Sequence, residues 1–335
     1  MPTTVTHTLK ASGGDYTTPS AWEAAQQRDL VALDEIAVLE CYNDWPTGLV
    51  GELVVGGWTS SPTNYVEITT PASERHTGKR GTGFLLKLPA NWTGYTFNGS
   101  CVVDGLEFDS NGKASSVLVN LIAGSGHYGV IKNSIANGVA SNSPTVLFNY
   151  PRYSTNSIVG FNNLATGSNS GKAVGFTNWS SKEIANHTVI GDGTGVAFAA
   201  GAGDDSAVKN CVAYNVTTSF DEGAYVFHAT NSTNNAAWDG STVTPPGASP
   251  LTVDIISSDF EDVANDDCHL SASSQLIGQG ADLSATFTTD IDGEIRSVPW
   301  DIGLDQIVSA ITAIDNNLVS AMHFQKLWEP IAMGE

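Results

Sequence analysis

The chain has 335 residues and a formal net charge of −21, with only 14 lysines and arginines. A nucleic-acid-binding protein needs clustered cations to displace counterions from phosphate, whereas the densest basic stretch here, ERHTGKRG at 74–81, is short and is interpreted as a solvated turn. No apolar run approaches the ~20 residues that span a bilayer. Neither nucleic acid nor a membrane is therefore an expected partner.

The start of the chain and its cysteines indicate the compartment in which it is made. The opening residues, MPTTVTHTLKASGGDYTT, lack the apolar region of a secretory signal. The cysteines are far apart, with no CxxC pair and no histidine at ligand spacing; they are Cys41, Cys101, Cys211 and Cys268. We therefore expect synthesis in a reducing cytosol, with the cysteines reduced and packed in the core.

A polar column recurs through the middle of the chain, with apolar residues two positions away on each side. Its intervals are 29, 29, 24 and 24 residues, and its members are Asp104, Asn133, Asn162, Asn186 and Asn210. The positions two residues earlier are Val102, Ile131, Gly160, Ile184 and Val208, and those two residues later are Leu106, Ile135, Leu164, Thr188 and Val212. Alternation of this kind predicts a strand on each side of the column.

A second strand is predicted within each interval, in SSVLVNL, PTVLFNY, KAVGFTN, TGVAFAA and AYVFHAT. The residues that align in it are Val119, Phe148, Phe176, Phe198 and Phe227. Gly, Asn, Ser and Asp fill the remaining positions, which is typical of turns. Repeats of this length with short strands and no helical period predict a solenoid whose turns stack strand on strand.

The polar column has two interpretations. Equivalent residues of adjacent turns lie ~4.8 Å apart in a stacked solenoid, so the amide side chains can form a hydrogen-bonded ladder. We favour this structural ladder, either internal or capping the turns. A row of asparagines that binds a ligand is the alternative.

These features resemble the right-handed parallel β-helix class of pectate-lyase-like proteins and many phage tailspikes. Residues 259–306 are similar to the closing segment of many bacterial and phage β-helix proteins, which has a His-Leu strand, a Gly-x-Gly turn, DIDG..R and DIG. The matching residues are His269, Leu270, Gly278, Gly280, Asp290, Asp292, Gly293, Arg296, Asp301, Ile302 and Gly303. Leu304 and Asp305 depart from the DIGA-x-E that usually follows.

The resemblance implies an all-β fold, a right-handed single-stranded parallel β-helix with a short N-terminal capping helix and a C-terminal amphipathic helix. The capping helix would lie around Trp22, before a strand from Glu35 to Leu39. The expected divisions are an N-terminal arm and capping segment at 1–33, the β-helix body at 34–258, C-terminal coils and a cap at 259–304, and a helical tail at 305–335.

The tail has the spacing of an amphipathic helix with a second apolar cluster behind it. Asp305 is a candidate N-cap, and the apolar residues are Ile307, Ile311, Ile314, Leu318, Met322, Phe324, Leu327 and Trp328. One interpretation is a helix folded back on the side of the solenoid. The other is a docking or oligomerisation element, and isoleucines at this spacing suit a trimer.

The residues show little of the pattern that catalysis on this scaffold requires. Glycoside hydrolysis needs two carboxyl groups ~5–9 Å apart, but acids such as Asp104, Glu107 and Asp109 have no aligned acid one turn away and are interpreted as solvated turn residues. No histidine lies at a spacing from serine or cysteine that is typical of a nucleophile and its base. The histidines considered are His127, His187, His228 and His269.

The stretch DIDGE at 290–294 is rich in oxygen ligands but lacks the twelve-residue pattern of an EF-hand. The resemblance places it in the cap, where Asp292 and Arg296 would pair with chain termini. We therefore expect no catalytic residue, no metal and no cofactor.

Two functions are open at this point. The first is a non-enzymatic structural virion protein of a bacteriophage, either a capsid decoration (cement) protein or a tail spike or fibre-like appendage. It would be a homotrimer located in the virion, with the major capsid protein or tail proteins as partners and host surface glycans as further candidates. The alternative is a polysaccharide lyase or glycoside hydrolase on the same scaffold, which rests on fold analogy alone.

Overall fold

The computed structural model describes residues 1–91, 94–115, 117–138, 146–150, 158–166, 174–178, 182–201, 206–223, 225–241 and 243–307. The predicted tail residues Ile311, Ile314, Leu318, Met322, Phe324, Leu327 and Trp328 lie outside them. The described chain is an all-β parallel solenoid of about seven turns, as predicted. The right-handed sense of the coil stays a prediction.

Three parallel sheets run along the solenoid, and each full turn contributes one strand to each sheet. Sheet 1 contains Thr3–Leu9, Glu35–Cys41, Val66–Thr69, Cys101–Asp104, Gly129–Lys132, Ile158–Phe161, Glu183–Ala185 and Ala207–Lys209. Sheet 2 contains Leu49–Val50, Leu85–Lys87, Glu107–Asp109, Ile135–Asn137, Leu164–Thr166, Thr188–Ile190, Val212–Tyr214 and Ala236–Ala237. Sheet 3 contains Val54–Val55, Tyr95–Asn98, Val117–Ile122, Val146–Asn149, Val174–Asn178, Val196–Ala200 and Thr218–Asp221.

The N-terminal end of the stack is covered by a short helix, Pro19–Gln26, followed by the single turn Leu30–Leu33. Thr18 caps the helix by accepting a hydrogen bond from the backbone of Ala21. Trp22 is fully buried and its ring centroid lies 5.4 Å from that of Trp58. Sheet 1 begins one strand earlier than predicted, because Thr3–Leu9 pairs with Glu35–Cys41.

From the strand Cys101–Asp104 onward, a sharp bend of two residues joins sheet 1 to sheet 2, and left-handed backbone makes it possible. Two residues separate the strands at Asn133, where φ is 47°. Asparagine is one of the few non-glycine residues that tolerate this region. The same conformation occurs at Asn162, Asn186, Asn210 and Asn234, with φ between 51° and 52°.

The first member of the predicted column is displaced by one residue. Asp104 pairs with Lys132, so Gly105, with φ of 80°, occupies the position equivalent to Asn133. By the same shift, Val103 and Glu107 replace Val102 and Leu106 in the flanking columns. The predicted alignment was wrong here because glycine meets the same backbone requirement as asparagine without resembling it.

A stack of phenylalanines fills the interior under sheet 3. The ring centroids of Phe148, Phe176, Phe198 and Phe220 are 5.0, 5.4 and 5.0 Å apart in turn. Phe220, and not the predicted Phe227, is in register with Phe198, while Phe227 packs edge-on against Phe220. All four cysteines are free and buried.

The closing segment, residues 259–306, begins with an antiparallel hairpin of Phe260–Asp262 and Asp267–Leu270, beside the short 3₁₀ turns Ser257–Asp259 and Val263–Asn265. It then lies along the flank of the solenoid. A second apolar core separates it from sheet 2 and contains Ile135, Leu164, Ile190, Val212, Ala236, Ile255, Phe260, Cys268, Leu270, Leu276, Ile291, Ile302 and Leu304. Burial of apolar surface stabilises the folded state by ~25 cal/mol per Å². Since this core includes sheet 2 residues from several turns, it stabilises the contact of the closing segment with all of them.

Candidate functional site

The asparagine column forms hydrogen bonds between adjacent turns. Asn133 Nδ2 donates to Asp104 Oδ1 at 2.9 Å, and Asn162 Nδ2 donates to Asn133 Oδ1 at 3.1 Å. Further along, Asn210 Nδ2 donates to Asn186 Oδ1 at 3.2 Å. Asp104 takes part although it lies one position off the column, since its carboxylate reaches the neighbouring amide.

The ladder also binds the closing segment. Asn162 Nδ2 donates to the carbonyl oxygen of Thr289 at 2.7 Å, and Asn186 Nδ2 donates to that of Gly303 at 2.9 Å. Asn210 makes a two-way contact with Ala281, accepting from its N–H at 2.7 Å and donating to its carbonyl oxygen at 2.9 Å. The column is therefore a row of asparagines that recognises extended backbone, and the backbone belongs to the same chain.

Arg296 of the DIDG..R motif is the buried cation at the centre of this contact. Its guanidinium donates to Asn162 Oδ1 at 3.0 Å and to the carbonyl oxygens of Gly303, Leu304 and Asp305 at 3.0, 2.8 and 3.1 Å. Burial lowers its pKa to about 10, so the side chain is still charged at pH 7. In the described chain Arg296 binds this set of carbonyl oxygens; the predicted pairing with the C-terminus concerns residues outside the described ranges and stays a prediction.

The basic stretch at 74–81 is anchored by ion pairs, in contrast to the predicted solvated turn. Arg75 Nη2 lies 3.0 Å from Asp104 Oδ2, and Arg80 Nη1 lies 2.6 Å from Asp266 Oδ2 in the hairpin. Glu107 is buried and accepts the backbone N–H groups of residues 81 and 83 at 2.6 Å each. These acids are structural, because each is required by a partner on a neighbouring turn.

His76 in the same loop is fully enclosed and neutral. Its Nε2 donates to the carbonyl oxygen of Asn133 at 2.8 Å, while its Nδ1 accepts from the N–H of Gly78 at 3.2 Å. Burial lowers the pKa of His76 to about 4. The loop at 74–81 therefore adds a hydrogen bond to the backbone carbonyl of Asn133, a member of the asparagine column.

A second polar column lies one residue after the first and was not predicted. Asn163 Oδ1 accepts from the N–H of Ser134 at 2.8 Å, and Asn163 Nδ2 donates to Tyr150 Oη at 2.9 Å. Asn235 repeats the pattern, with Oδ1 accepting from the N–H of Cys211 at 2.9 Å. The sequence feature that could have predicted this second column is the Asn-Asn pair, which occurs at residues 162–163 and again at 234–235.

The predicted docking residues are described only at their first member. Ile307 packs partly buried against the core beneath the closing segment, and its N–H donates to Asp301 Oδ2 at 2.7 Å. Asp305, the predicted N-cap, is buried and accepts the N–H of Leu270 at 2.7 Å. Asp305 thus belongs to the closing segment, and Ile307 packs directly against it.

Ionisable groups meet at the DIDG turn. His269, Asp292 and Asp305 each offer one ligand atom within 4.8 Å of the others. Hydrogen bonds from the His269 ring to Asp292 and Asp267 raise the pKa of His269 to about 10, and the bond that Asp292 accepts lowers the pKa of Asp292. Burial raises the pKa of Asp290 beside them. Among the described residues, His269, Asp292 and Asp305 are the group of histidine, cysteine or acidic side chains whose ligand atoms lie close enough together to hold a cation.

A shallow groove of about 440 Å³ lies near the end of sheet 2. Its lining includes Trp238, Asp239, Thr244 and Asp254. The Trp238 indole N–H donates to the carbonyl oxygen of Val216 at 2.6 Å, which fixes the ring, and the N–H of Asp239 donates to Asp254 Oδ1 at 2.6 Å. A fixed aromatic ring beside polar groups is a surface on which a sugar can stack.

No family model and no curated protein matches the chain. Among the described residues, no helix is both long enough and apolar enough to cross a membrane. The ladder and the closing segment are therefore interpreted from their own geometry.

Proposed function

We propose that this protein is a non-enzymatic structural component of a bacteriophage virion, acting as a capsid decoration protein or a tail spike or fibre-like appendage. The observation that carries the proposal is the use of its polar side chains. The asparagine ladder, Arg296 and the buried acids Glu107 and Asp301 are all engaged in holding backbone segments together. A scaffold with this allocation of polar groups suits mechanical stability better than turnover of a substrate.

The resemblance of residues 259–306 to closing segments of phage β-helix proteins supports the virion assignment. The described contacts add that this segment is held along the flank of the solenoid as far as Ile307. We propose that residues 308–335 mediate trimerisation and attachment to a capsid or tail protein, with host glycans as a further partner.

Truncation tests this proposal directly. A chain ending at Ile307 retains the hydrogen bond to Asp301 and should keep the melting temperature and circular dichroism of the full chain. Analytical ultracentrifugation should then show a trimer for the full chain and a monomer for the truncated one. A full-length monomer, or a trimer without residues 308–335, would refute the role of the tail.

Mass spectrometry of purified phage particles tests the location. The protein should be present in particles washed at high salt, in a copy number that is a multiple of three. Its absence from particles whose genome encodes it would contradict the virion assignment.

A carbohydrate-active enzyme is the second candidate, favoured only by the groove at Trp238. Two carboxylates, Asp239 and Asp254, line it with the aromatic ring. Release of reducing or unsaturated sugar ends from a polysaccharide panel, lost in Asp239→Asn and Asp254→Asn but retained in Asp221→Asn outside the groove, would establish this alternative.

A further inference from the structure

Three side chains from separate parts of the closing segment converge beside its hairpin. His269 Nε2 lies 3.4 Å from Asp292 Oδ2, and one oxygen of Asp305 completes a group whose ligand atoms are all within 4.8 Å. Asp305 is held in place because its Oδ2 accepts the N–H of Leu270 at 2.7 Å. Two ligands ~2.0–2.1 Å from a tetrahedral zinc ion are about 3.3–3.4 Å apart, so the first pair already has the separation of metal ligands.

The His269 ring is oriented as in a metal-binding histidine. Its Nδ1 lies 2.6 Å from Asp267 Oδ1. Histidines that ligate metals almost always donate the second ring N–H to a carboxylate or carbonyl oxygen, which fixes the tautomer and makes the ligating nitrogen more basic. With Nδ1–H given to Asp267, Nε2 faces Asp292, and a metal ion bound there would take the place of the proton that Nε2 shares with Asp292.

Among the described residues, no donor reaches two buried carboxylate oxygens at the same place. Asp290 is 0% exposed; its Oδ1 accepts the N–H of Glu294 at 2.8 Å, but its Oδ2 accepts from none of the described groups. The same holds for Asp292 Oδ1, and the two carboxyl groups lie within hydrogen-bonding range of each other. Facing carboxylate oxygens out of water are costly unless a proton or a cation lies between them.

The nearby arginine contributes positive charge from a distance, but among the described contacts it forms no hydrogen bond with these carboxylate oxygens. All the hydrogen bonds of Arg296 in the described chain go to carbonyl oxygens and to Asn162, as given above. On the remaining side, Gly78 lets the loop approach the ring closely: an added Cβ would overlap His269 Nε2 and lie 3.1 Å from Ile291 Cγ2. Any larger residue at 78 would fill the space beside the ligating nitrogen.

We propose that His269, Asp292 and Asp305, with Asp290 as a further oxygen donor, form a binding site for a divalent transition-metal cation of the Zn²⁺ or Mn²⁺ type. A set of one imidazole and several carboxylates suits these ions, whereas Ca²⁺ and Mg²⁺ take oxygen ligands. Asp267 is the positioning residue that orients His269. The ion fastens the hairpin to the DIDG turn, and its binding free energy adds to that of folding.

The experiment titrates the full chain, freed of metal by a chelator and dialysis, with ZnCl₂ and MnCl₂ by isothermal calorimetry, and follows the melting temperature. We expect one saturable ion per chain and a melting temperature that rises with its concentration. His269→Gln and Asp292→Asn should abolish this saturable event. Asp267→Asn should weaken it by about 10–100-fold, as expected for an orienting carboxylate.

Asp282→Asn is the matched control, because Asp282 is an exposed acid of the same segment whose carboxylate accepts from Ser284. It removes the same charge and should bind the metal like the wild type. Equal binding by the Asp292→Asn and Asp282→Asn chains would show that the ion sits on the acidic surface and would overturn the proposal. So would the absence of saturable binding to the wild type.

Cobalt absorption provides a readout that needs no variant. Co²⁺ bound to a site with imidazole and carboxylates at low coordination number should give intense visible bands, displaced by one equivalent of Zn²⁺. Only the weak spectrum of hydrated Co²⁺ at saturation would refute the site even where the variants do not fold. A trimer and a virion location do not depend on either result.

Discussion

Arg296→Met tests whether the closing segment is held on the ladder by one buried cation. The side chain is 5% exposed and its guanidinium makes four hydrogen bonds, with donor–acceptor distances from 2.8 to 3.1 Å. Methionine fills similar apolar space but leaves all four acceptors without this donor. A hydrogen bond to a charged group contributes about 1.5–3 kcal/mol, and these contributions are not additive.

The loss of stability in Arg296→Met also includes the electrostatic attraction between Arg296 and the buried acids near it, among them Asp290 and Asp305. Removing one member of a buried charged set costs about 3–5 kcal/mol, because it leaves uncompensated charge. We therefore expect the free energy of unfolding to fall by about 3–5 kcal/mol, a large part of the 5–15 kcal/mol typical of a folded domain. Arg296→Lys keeps the charge with fewer donors and should lie between the two.

Urea denaturation and hydrogen exchange by mass spectrometry measure the effect. The denaturation midpoint should fall, and amides of residues 276–306 should exchange faster than those of the phenylalanine-lined turns. Arg28→Met is the control, because Arg28 is also partly buried, at 22% exposure, and binds Glu35 and the carbonyl oxygen of Gln26 away from the closing segment; its loss should destabilise the chain without faster exchange of residues 276–306. An Arg296→Met chain that unfolds and exchanges like Arg28→Met would refute the reasoning.

Further predictions concern the ladder and the loop at 74–83. Asn162→Ala removes three side-chain hydrogen bonds and places alanine at a φ of 51°, so urea unfolding should show a loss of about 3–4 kcal/mol. Asn149→Ala is the control: Asn149 Nδ2 donates to Asn120 Oδ1 at 2.7 Å between strands of sheet 3, and its loss should cost about 0.5–1.5 kcal/mol. His76 has a folded pKa of about 4, below its unfolded value of about 6.5. The contribution of neutral His76 to folding stability is therefore complete above pH 6.5 and is lost as the pH falls towards 4. The loss amounts to at most about 3 kcal/mol. Denaturation at pH 7.5, 5.5 and 4.5 should show a shallower acid decline for His76→Gln, and an unchanged slope would contradict the assignment. The two carboxylate oxygens of Glu107 each accept one backbone N–H, and Glu107→Gln replaces one of these oxygens with an NH₂ donor. The free energy of unfolding should fall by about 1–3 kcal/mol in thermal melts. Asp221→Asn changes a more exposed acid and should be nearly neutral.

The repeating strands were predictable because their bends carry a local requirement. A left-handed residue is needed between sheets 1 and 2, and from Asn133 onward asparagine meets it in each of those turns. The error at Asp104 has the same origin. Gly105 satisfies the backbone without an amide, and the nearest polar residue was taken for the missing member of the column.

The position of the closing segment was not predictable from spacing. The contact between Asn210 and Ala281 joins residues 71 positions apart, and that between Asn162 and Arg296 joins residues 134 positions apart. A motif such as DIDG..R shows that a segment has a defined structure, but not which surface it covers. The cluster around His269 was missed for the same reason, since its ligands approach one another only after the segment folds back.

The chemistry of the amide explains why asparagine, and not aspartate, recurs at the bends. Each ladder asparagine both donates and accepts, with an adjacent rung or with the closing segment: Asn162 accepts from Arg296, Asn186 donates to Gly303, and Asn210 does both with the backbone of Ala281 while also donating to Asn186. Aspartate has no donor, and Asp104 is accommodated where Arg75 and Lys132 lie 3.0 and 3.3 Å from its carboxylate. Glycine keeps the bend but offers no side-chain contact. The same residue that lets the chain turn therefore presents a donor and an acceptor at each rung, and these are the groups that extended backbone needs. Because the ladder amides contact both the adjacent turns and the closing segment, the loss of one amide should weaken the packing of the turns and the attachment of the closing segment.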